Sequence, residues 1–157
     1  MVGNIGRMIP QKNQLFLIDA FAELKKREPK AKLLLIGDGE LRKDIDQKIA
    51  ELGLEDSVRI EKRREDANKC YSVMDVFAFP SIYEGLGMVA IEAQVAGVRV
   101  VASEYVPLEA DMGLFQYRPL DVRKFLSGRA DTKKKAYEIS EQAPVLKNYY
   151  EKELCRE

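Results

Sequence analysis

Short, uninterrupted runs of apolar residues that alternate with helical segments most constrain what this chain can fold into. Residues 33–36 are four consecutive aliphatic residues, residues 76–79 form a comparable run, and residues 98–102 are apolar apart from Arg99. A strand with one face in water alternates polar and apolar residues, whereas a continuously apolar strand is covered on both faces. We therefore predict an α/β fold, a Rossmann-like doubly wound parallel sheet with helices on both sides.

The order of apolar runs and turn residues divides most of the chain into alternating strands and helices. We predict five strands, at residues 2–5, 31–36, 57–61, 76–79 and 98–102. Four helices are predicted, at residues 13–27 with Asn13 as the cap, at about 40–53, at about 65–74 and at 88–96. The later pattern is weaker and predicts a short edge strand at 115–117, a short helix at 121–126 and a terminal helix capped by Asp131.

Right-handed crossovers place the carboxyl ends of all parallel strands at one edge of the sheet. In open α/β sheets, ligands bind in the crevice at that edge. Lys12, just before the first helix, is expected to face the same crevice. The residues predicted to converge at this edge come from five loops: Gly6, Arg7, Gly37, Lys62, Arg63, Ser81 to Gly87, and Ser103.

Two acids flank a glycine-rich turn after the fourth strand. Glu84 precedes Gly85 and Gly87, and Glu92 lies inside the apolar helix that follows. A carboxylate within so apolar a run must find a partner or lose its charge. Each acid alone is more simply a helix cap or a solvated side chain. Together with close-approach glycines and the free N–H groups of a helix start, they indicate a site for a molecule with hydroxyls and phosphate.

Composition excludes several classes of function. The chain has no histidine, which rules out imidazole-based triads and His-ligated metal sites. With 26 basic and 26 acidic residues, it lacks the basic footprint of a nucleic-acid-binding protein. No apolar run is long enough for direct membrane insertion, and two cysteines in no motif fit a reducing, cytoplasmic compartment. The absence of both a Gly-x-Gly-x-x-Gly and a Gly-Lys-Ser/Thr motif disfavours nicotinamide, flavin and P-loop sites.

The predicted crevice suits a nucleotide sugar. Arg7 and Lys12 on one loop, with the helix start after Gly87 on another, suit a pyrophosphate. Glu92 can accept two hydrogen bonds from a ribose diol, and Glu84 can bind sugar hydroxyls beyond the phosphates. Taken alone, Arg7 and Lys12 are equally well explained as ordinary surface charges.

These motifs resemble the carboxyl-terminal, donor-binding domain of the family-four retaining glycosyltransferases, which have the two-domain GT-B fold. The Glu-x7-Glu spacing from Glu84 to Glu92 is the signature of that family. A later stretch, residues 109–120, resembles the branch that builds bacterial capsular and exopolysaccharides. The remaining motifs that carry the resemblance are Val2–Arg7, Gln11–Asn13, Leu34–Gly39, Leu52–Leu54, Asp75–Ser81, Tyr83–Gly85 and Ile91–Ala93.

The resemblance implies a role for each site residue. Arg7 and Lys12 would hold the diphosphate and stabilise its growing charge as the sugar departs, and Glu84 would contact the donor sugar. Glu92 would bind the ribose. The remaining contacts would come from Gly6 and Gly37 at the crevice, from the backbone of Gly85, Leu86, Gly87 and Met88, and, for the base, from the region of Lys62 and Arg63. Family members often have glycine where Lys62 stands and an apolar residue where Glu61 stands, so base recognition is expected to differ in detail.

The resemblance also implies an organisation for the whole protein. We expect residues 1–157 to form one donor-binding domain that lacks an amino-terminal acceptor domain. A UDP- or GDP-linked sugar would be the donor, with no metal or other cofactor, and the isolated domain is expected to be inactive. The full-length protein is expected in the cytoplasm, at the inner membrane face. Two alternatives remain: a non-catalytic nucleotide-sugar binding module or subunit that needs a separate acceptor domain, and another enzyme of this architecture, such as an epimerase or a phosphorylase.

Overall fold

The computed structural model describes residues 1–62 and 67–127. Six strands and three α-helices alternate through this part of the chain, with 3₁₀ turns at Pro10–Lys12, Ala67–Val73 and Leu108–Ala110. The elements, in chain order, are β1 (Val2–Ile5), α1 (Gln14–Arg27), β2 (Leu33–Ile36), α2 (Arg42–Glu51), β3 (Val58–Glu61), β4 (Val76–Phe79), α3 (Met88–Val95), β5 (Arg99–Ser103) and β6 (Phe115–Arg118).

The strands form one sheet in the order β3-β2-β1-β4-β5-β6, and all of its pairs are parallel. From β1 the chain proceeds outward to β2 and β3, whereas from β4 it proceeds outward in the other direction to β5 and β6. The strand order therefore reverses between β1 and β4, and ligands of open α/β sheets bind where that reversal opens a crevice. The predicted doubly wound parallel sheet is confirmed.

The sheet separates two apolar cores, and β2 shows how the sequence builds both. Alternate side chains of a strand point to opposite faces. Leu33 and Leu35 are completely or almost completely buried in the core beneath α1 and α2. Leu34 and Ile36 are buried in the second core, which contains α3 residues and Tyr71. Because both faces are covered, an uninterrupted apolar sequence is the stable choice for this strand.

Three predicted elements differ from the structure. The edge strand expected at 115–117 is the full β6, which adds a sixth strand to the five-strand prediction. The described part of the helix expected at 65–74 is a 3₁₀ helix, Ala67–Val73. The Met74 N–H donates to the Tyr71 carbonyl, three residues earlier, which is the hydrogen-bond spacing of a 3₁₀ helix. Residues 121–126 form turns instead of a helix, although the Asp121 side chain accepts hydrogen bonds from the amides of Arg123 and Lys124 as a helix cap would. The terminal helix predicted from Asp131 lies outside the described residues.

Within residues 1–62 and 67–127, none of the helices is both long and apolar enough to cross a membrane. In the same part of the chain, no three His, Cys, Asp or Glu side chains are grouped closely enough to hold a metal ion.

Candidate functional site

Two loops meet where the strand order reverses, the loop after β1 (residues 6–13) and the loop after β4 (residues 80–87). The Ile82 amide donates to the carbonyl of Gln11 at 2.9 Å. The Gln11 side-chain amide donates to the carbonyl of Tyr83 at 2.9 Å, and the Asn13 side-chain amide donates to the carbonyl of Pro80 at 3.2 Å. These bonds hold the two loops side by side although more than 65 residues separate them, since the closest bonded pair is 67 residues apart.

Lys12 and Glu84 form an ion pair between these loops. The Lys12 Nζ lies 2.6 Å from Glu84 Oε1, and the two side chains are only 19% and 6% exposed. The ammonium also lies 5.6 Å from the centre of the Phe79 ring, within range of a cation–π interaction. A charge-assisted hydrogen bond in a mostly water-free setting is stronger than one at the surface. The structure therefore places a cation and an acid in contact at the reversal point of the sheet.

The loop after β2 also reaches this point. Gly37 has a φ of 151°, and a Cβ atom built on it would lie 1.9 Å from the carbonyl oxygen of Gly6. Only glycine allows so close an approach of two backbones. Arg7 follows Gly6 and is exposed, and its carbonyl accepts a hydrogen bond from Gln14 at 3.0 Å. No described residue forms an ion pair with the Arg7 guanidinium. The loop that carries Lys12 therefore carries a second cation whose charge is available to a ligand.

The start of α3 completes the loop that carries Glu84. Gly87 caps the helix with a φ of 75°, a left-handed conformation that favours glycine, and a Cβ there would lie 2.9 Å from the Phe79 ring. The Ala90 amide donates to the Gly87 carbonyl at 2.8 Å. The amides of Met88 and Val89 precede that first bond and have no acceptor within the helix. They lie at the positive end of the helix dipole, where anions are stabilised.

The second acid, Glu92, lies one turn further along α3. Its neighbours Ile91 and Ala93 are buried, but Glu92 itself is exposed. The Tyr71 hydroxyl donates to its carboxylate at 3.0 Å and also contacts the carbonyl of Val89 at 3.0 Å. The carboxylate thus has a partner, as its apolar sequence context requires, while the helix turns its side chain away from the core and keeps it in water.

Of the other predicted site residues, Lys62 stands apart from the Lys12–Glu84 pair. Lys62 is exposed at the end of β3, where it lines a cavity of about 760 Å³ with side chains of β2 and β3. The outer position of β3 explains this separation, because β2 lies between it and β1. Gly85 is exposed, Leu86 and Met88 pack partly against the second core, and Arg63 lies outside the described residues.

Several side chains outside the predicted set of ligand contacts shape these loops. Asn13 was predicted as a helix cap, but its side chain makes no cap hydrogen bond and reaches Pro80 instead. Ser103 was placed at the correct edge, and its hydroxyl donates to the carbonyl of Ser81. Tyr71 was not singled out. A tyrosine that contacts a residue 21 positions later leaves no local sequence signal, whereas Gln11 and Asn13 could have been suspected from their position in the loop after β1.

The sequence of the chain matches a known protein family. The family described as "Glycosyl transferases group 1" matches residues 1–112. EpsF of Bacillus subtilis, which bears a glycosyltransferase name, is 32% identical over 132 residues, or 84% of this chain and 34% of EpsF.

Two solved structures are similar in fold and sequence. The structure of HepE from Anabaena in complex with UDP has a TM-score of 0.69 and 29% identity, over 78% of this chain and 36% of HepE. The carboxyl-terminal domain of LpcC from Francisella tularensis, a glycosyl transferase group 1 protein, has a TM-score of 0.60 and 25% identity, over 66% of this chain and 57% of that one. The chain thus spans about a third of EpsF and of HepE.

Proposed function

The chain belongs to the group 1 glycosyl transferases with the GT-B fold, as the sequence resemblance predicted, and we propose that it is the donor-binding half of a retaining hexosyltransferase. The reaction would move a hexosyl group from a UDP- or GDP-linked sugar to a saccharide or lipid-linked acceptor, in the biosynthesis of a polysaccharide. The observation that carries this proposal is the contact of Lys12 with Glu84 at 2.6 Å in the loop that leads into α3.

The diphosphate of the donor would bind at the cationic side of this site. Lys12 supplies an ammonium whose stem is mostly covered, and Arg7 supplies an exposed guanidinium that is free to make a bidentate contact. The free amides of Met88 and Val89 at the start of α3 suit phosphate oxygens. Negative charge grows on the diphosphate as the glycosidic bond breaks. Cations and amides held in place before the reaction stabilise that charge with little reorganisation.

The hydroxyl-bearing parts of the donor would bind at the two acids. The Glu84 carboxylate is mostly covered and contacts Lys12. It can accept hydrogen bonds from sugar hydroxyls when Lys12 shifts toward the phosphate. Glu92 is exposed and already accepts from the Tyr71 hydroxyl, which fixes the carboxylate for a ribose diol. The two acids are eight positions apart, with the helix start between them, so sugar, diphosphate and ribose can follow one another along the same loop.

The base would lie near the end of β3, around Lys62 and Arg63, where the Gly37 amide is already bound to the carbonyl of Glu61 at 2.9 Å. We assign no metal or other cofactor to the transfer. Residues 1–157 would act together with an amino-terminal acceptor domain, in the cytoplasm and at the inner membrane face. The coverage of about a third of EpsF and HepE supports such a further domain in the whole protein.

The same coverage favours a second candidate, a nucleotide-sugar binding module or subunit that receives its acceptor domain from another chain. Both candidates predict that the isolated chain binds nucleotide and transfers no sugar. They are distinguished by adding a separately expressed acceptor domain, which would restore transfer only for the subunit arrangement.

Calorimetric titration of the chain with UDP and GDP tests the proposed function. We expect one of the two to bind at a single site. Glu92→Gln should weaken this binding, and the matched variant Glu51→Gln, at an exposed glutamate of α2 remote from the loops, should leave it unchanged. Absence of binding to both nucleotides, or turnover of a nucleotide sugar by the isolated chain, would contradict the proposal.

A further inference from the structure

The loop that carries Glu84 is held by side chains from other parts of the chain. The carbonyl of Pro80 accepts a hydrogen bond from the Asn13 side chain at 3.2 Å, and the carbonyl of Tyr83 accepts one from the Gln11 side chain at 2.9 Å. A third carbonyl of this loop, that of Ser81, accepts from a hydroxyl of β5. Loop carbonyls usually turn to water. Here three of the four carbonyls that precede Glu84 have fixed donors, so the path of the loop is determined by its partners.

Asn13 occupies a special position in this arrangement. Its φ of 56° makes it the one non-glycine residue with a positive φ in the described part of the chain. The backbone N–H of Asn13 donates to the carbonyl of Pro10 at 3.1 Å and ends the 3₁₀ turn. The backbone carbonyl of Asn13 accepts the first hydrogen bond of α1, from the Leu17 N–H at 3.2 Å. Asparagine tolerates the left-handed conformation better than most residues do. The backbone of Asn13 therefore sets the direction of Lys12, its direct neighbour, while its side chain holds the far loop.

We propose that Asn13 is a positioning residue that holds the carboxylate of Glu84 against the ammonium of Lys12. One residue fixes both sides of the ion pair. Its backbone directs Lys12, and its side-chain amide holds Pro80 in the loop that carries Glu84. This inference rests on the proposed function, in which Glu84 contacts the donor sugar and Lys12 the diphosphate. Loss of the amide would free the start of the far loop and move Glu84 away from the position that the sugar requires.

Two substitutions separate the backbone role of Asn13 from its amide. Asn13→Gly keeps the left-handed conformation and removes the bond to Pro80, whereas Asn13→Ala removes the bond and disfavours the conformation. We expect the thermal midpoint to stay within about 3 °C for the glycine variant and to fall further for the alanine variant. A ligand-free measurement follows the loop directly. Amide hydrogen exchange at Ile82, which is bonded to Gln11, should be about 10-fold faster in Asn13→Gly than in the wild type.

Ligand binding tests whether the effect reaches Glu84. UDP-glucose and GDP-mannose are titrated into the wild type, Asn13→Gly, Glu84→Gln and the double variant. A lost hydrogen bond corresponds to a factor of about 5 in affinity, so each single variant should bind the better ligand about 5-fold more weakly. The double variant should bind no more weakly than Glu84→Gln alone, because Asn13 acts through Glu84.

The outcomes separate this inference from the proposed function. If the wild type binds neither nucleotide sugar nor the free nucleotides, the proposed function is overturned, and the donor-binding role of Asn13 with it. If the wild type binds but the two losses multiply in the double variant, Asn13 acts independently of Glu84 and the inference is wrong. Unchanged exchange at Ile82 and unchanged affinity in Asn13→Gly would also overturn it.

Discussion

Replacing Lys12 by methionine should destabilise the fold, although the residue lies at the rim of the sheet. Methionine keeps most of the length of the side chain but removes the ammonium, which is the partner of Glu84 and lies over the Phe79 ring. The Glu84 side chain is 6% exposed, so water can replace the lost ammonium only in part. Removing one partner of a fully buried ion pair costs about 3–5 kcal/mol, and stranding a buried polar group costs about 1–3 kcal/mol. Because Lys12 is 19% exposed, we expect about 2 kcal/mol.

A loss of this size should lower the midpoint of thermal unfolding by about 4–8 °C. Circular dichroism melts and urea titrations of the ligand-free chain would measure it. The matched control is Lys26→Met, which breaks the exposed pair of Lys26 and Glu23 and should leave the midpoint of unfolding close to that of the wild type. In the double variant Lys12→Met with Glu84→Gln, much of the stability should return, because a neutral amide costs less to bury than an unpaired carboxylate. Equal melting of the Lys12 and Lys26 variants would refute the view that Glu84 depends on Lys12.

Four further substitutions separate the site from the scaffold. Glu92→Gln should weaken nucleotide binding about 10-fold in calorimetry without changing the midpoint of unfolding, and an unchanged affinity would make the ribose assignment wrong. Leu35→Ala should lower the free energy of unfolding by roughly 2–5 kcal/mol in urea titrations, since Leu35 is 1% exposed, yet leave the affinity of the folded fraction intact. Gly37→Ala should cost at least about 3 kcal/mol or prevent folding, because its Cβ would lie 1.9 Å from a backbone oxygen, whereas Gly85→Ala, with open space around the Cβ, should melt like the wild type. A Gly37→Ala variant as stable as Gly85→Ala would show that the loops after β1 and β2 are not in contact at Gly6 and Gly37.

The parallel sheet could be predicted because its strands carry their burial in local sequence. Residues 33–36 are apolar throughout, and only a strand covered on both faces requires that pattern. Strand β6 was harder to define, because Gln116 faces out and the other positions are only partly buried at the edge of the sheet. The turns at 121–126 were mistaken for a helix, because an aspartate that begins an Asx turn looks the same in sequence as a helix cap.

The site shows the same division between local and distant information. The placement of Lys12, Glu84 and the start of α3 at one edge of the sheet followed from parallel strands joined by right-handed crossovers, and the 2.6 Å contact agrees with it. The position of Asn13 in the loop after β1 hinted at a role in the site, but its bond to Pro80 could not be predicted, because that partner is 67 residues away. The exposure of Glu92 is also absent from its local sequence, because its apolar neighbours Ile91 and Ala93 do not show that one side of α3 is open.

A ¹⁵N-edited NMR titration of the chain with UDP and with GDP reports both whether a nucleotide binds and where it binds. If the donor binds at the loops after β1 and β4, one nucleotide should shift the amides of Gly6, Lys12, Gly87, Met88 and Glu92 together, with a single dissociation constant. Shifts confined to residues remote from the loops after β1 and β4, or no shifts at millimolar nucleotide, would contradict it.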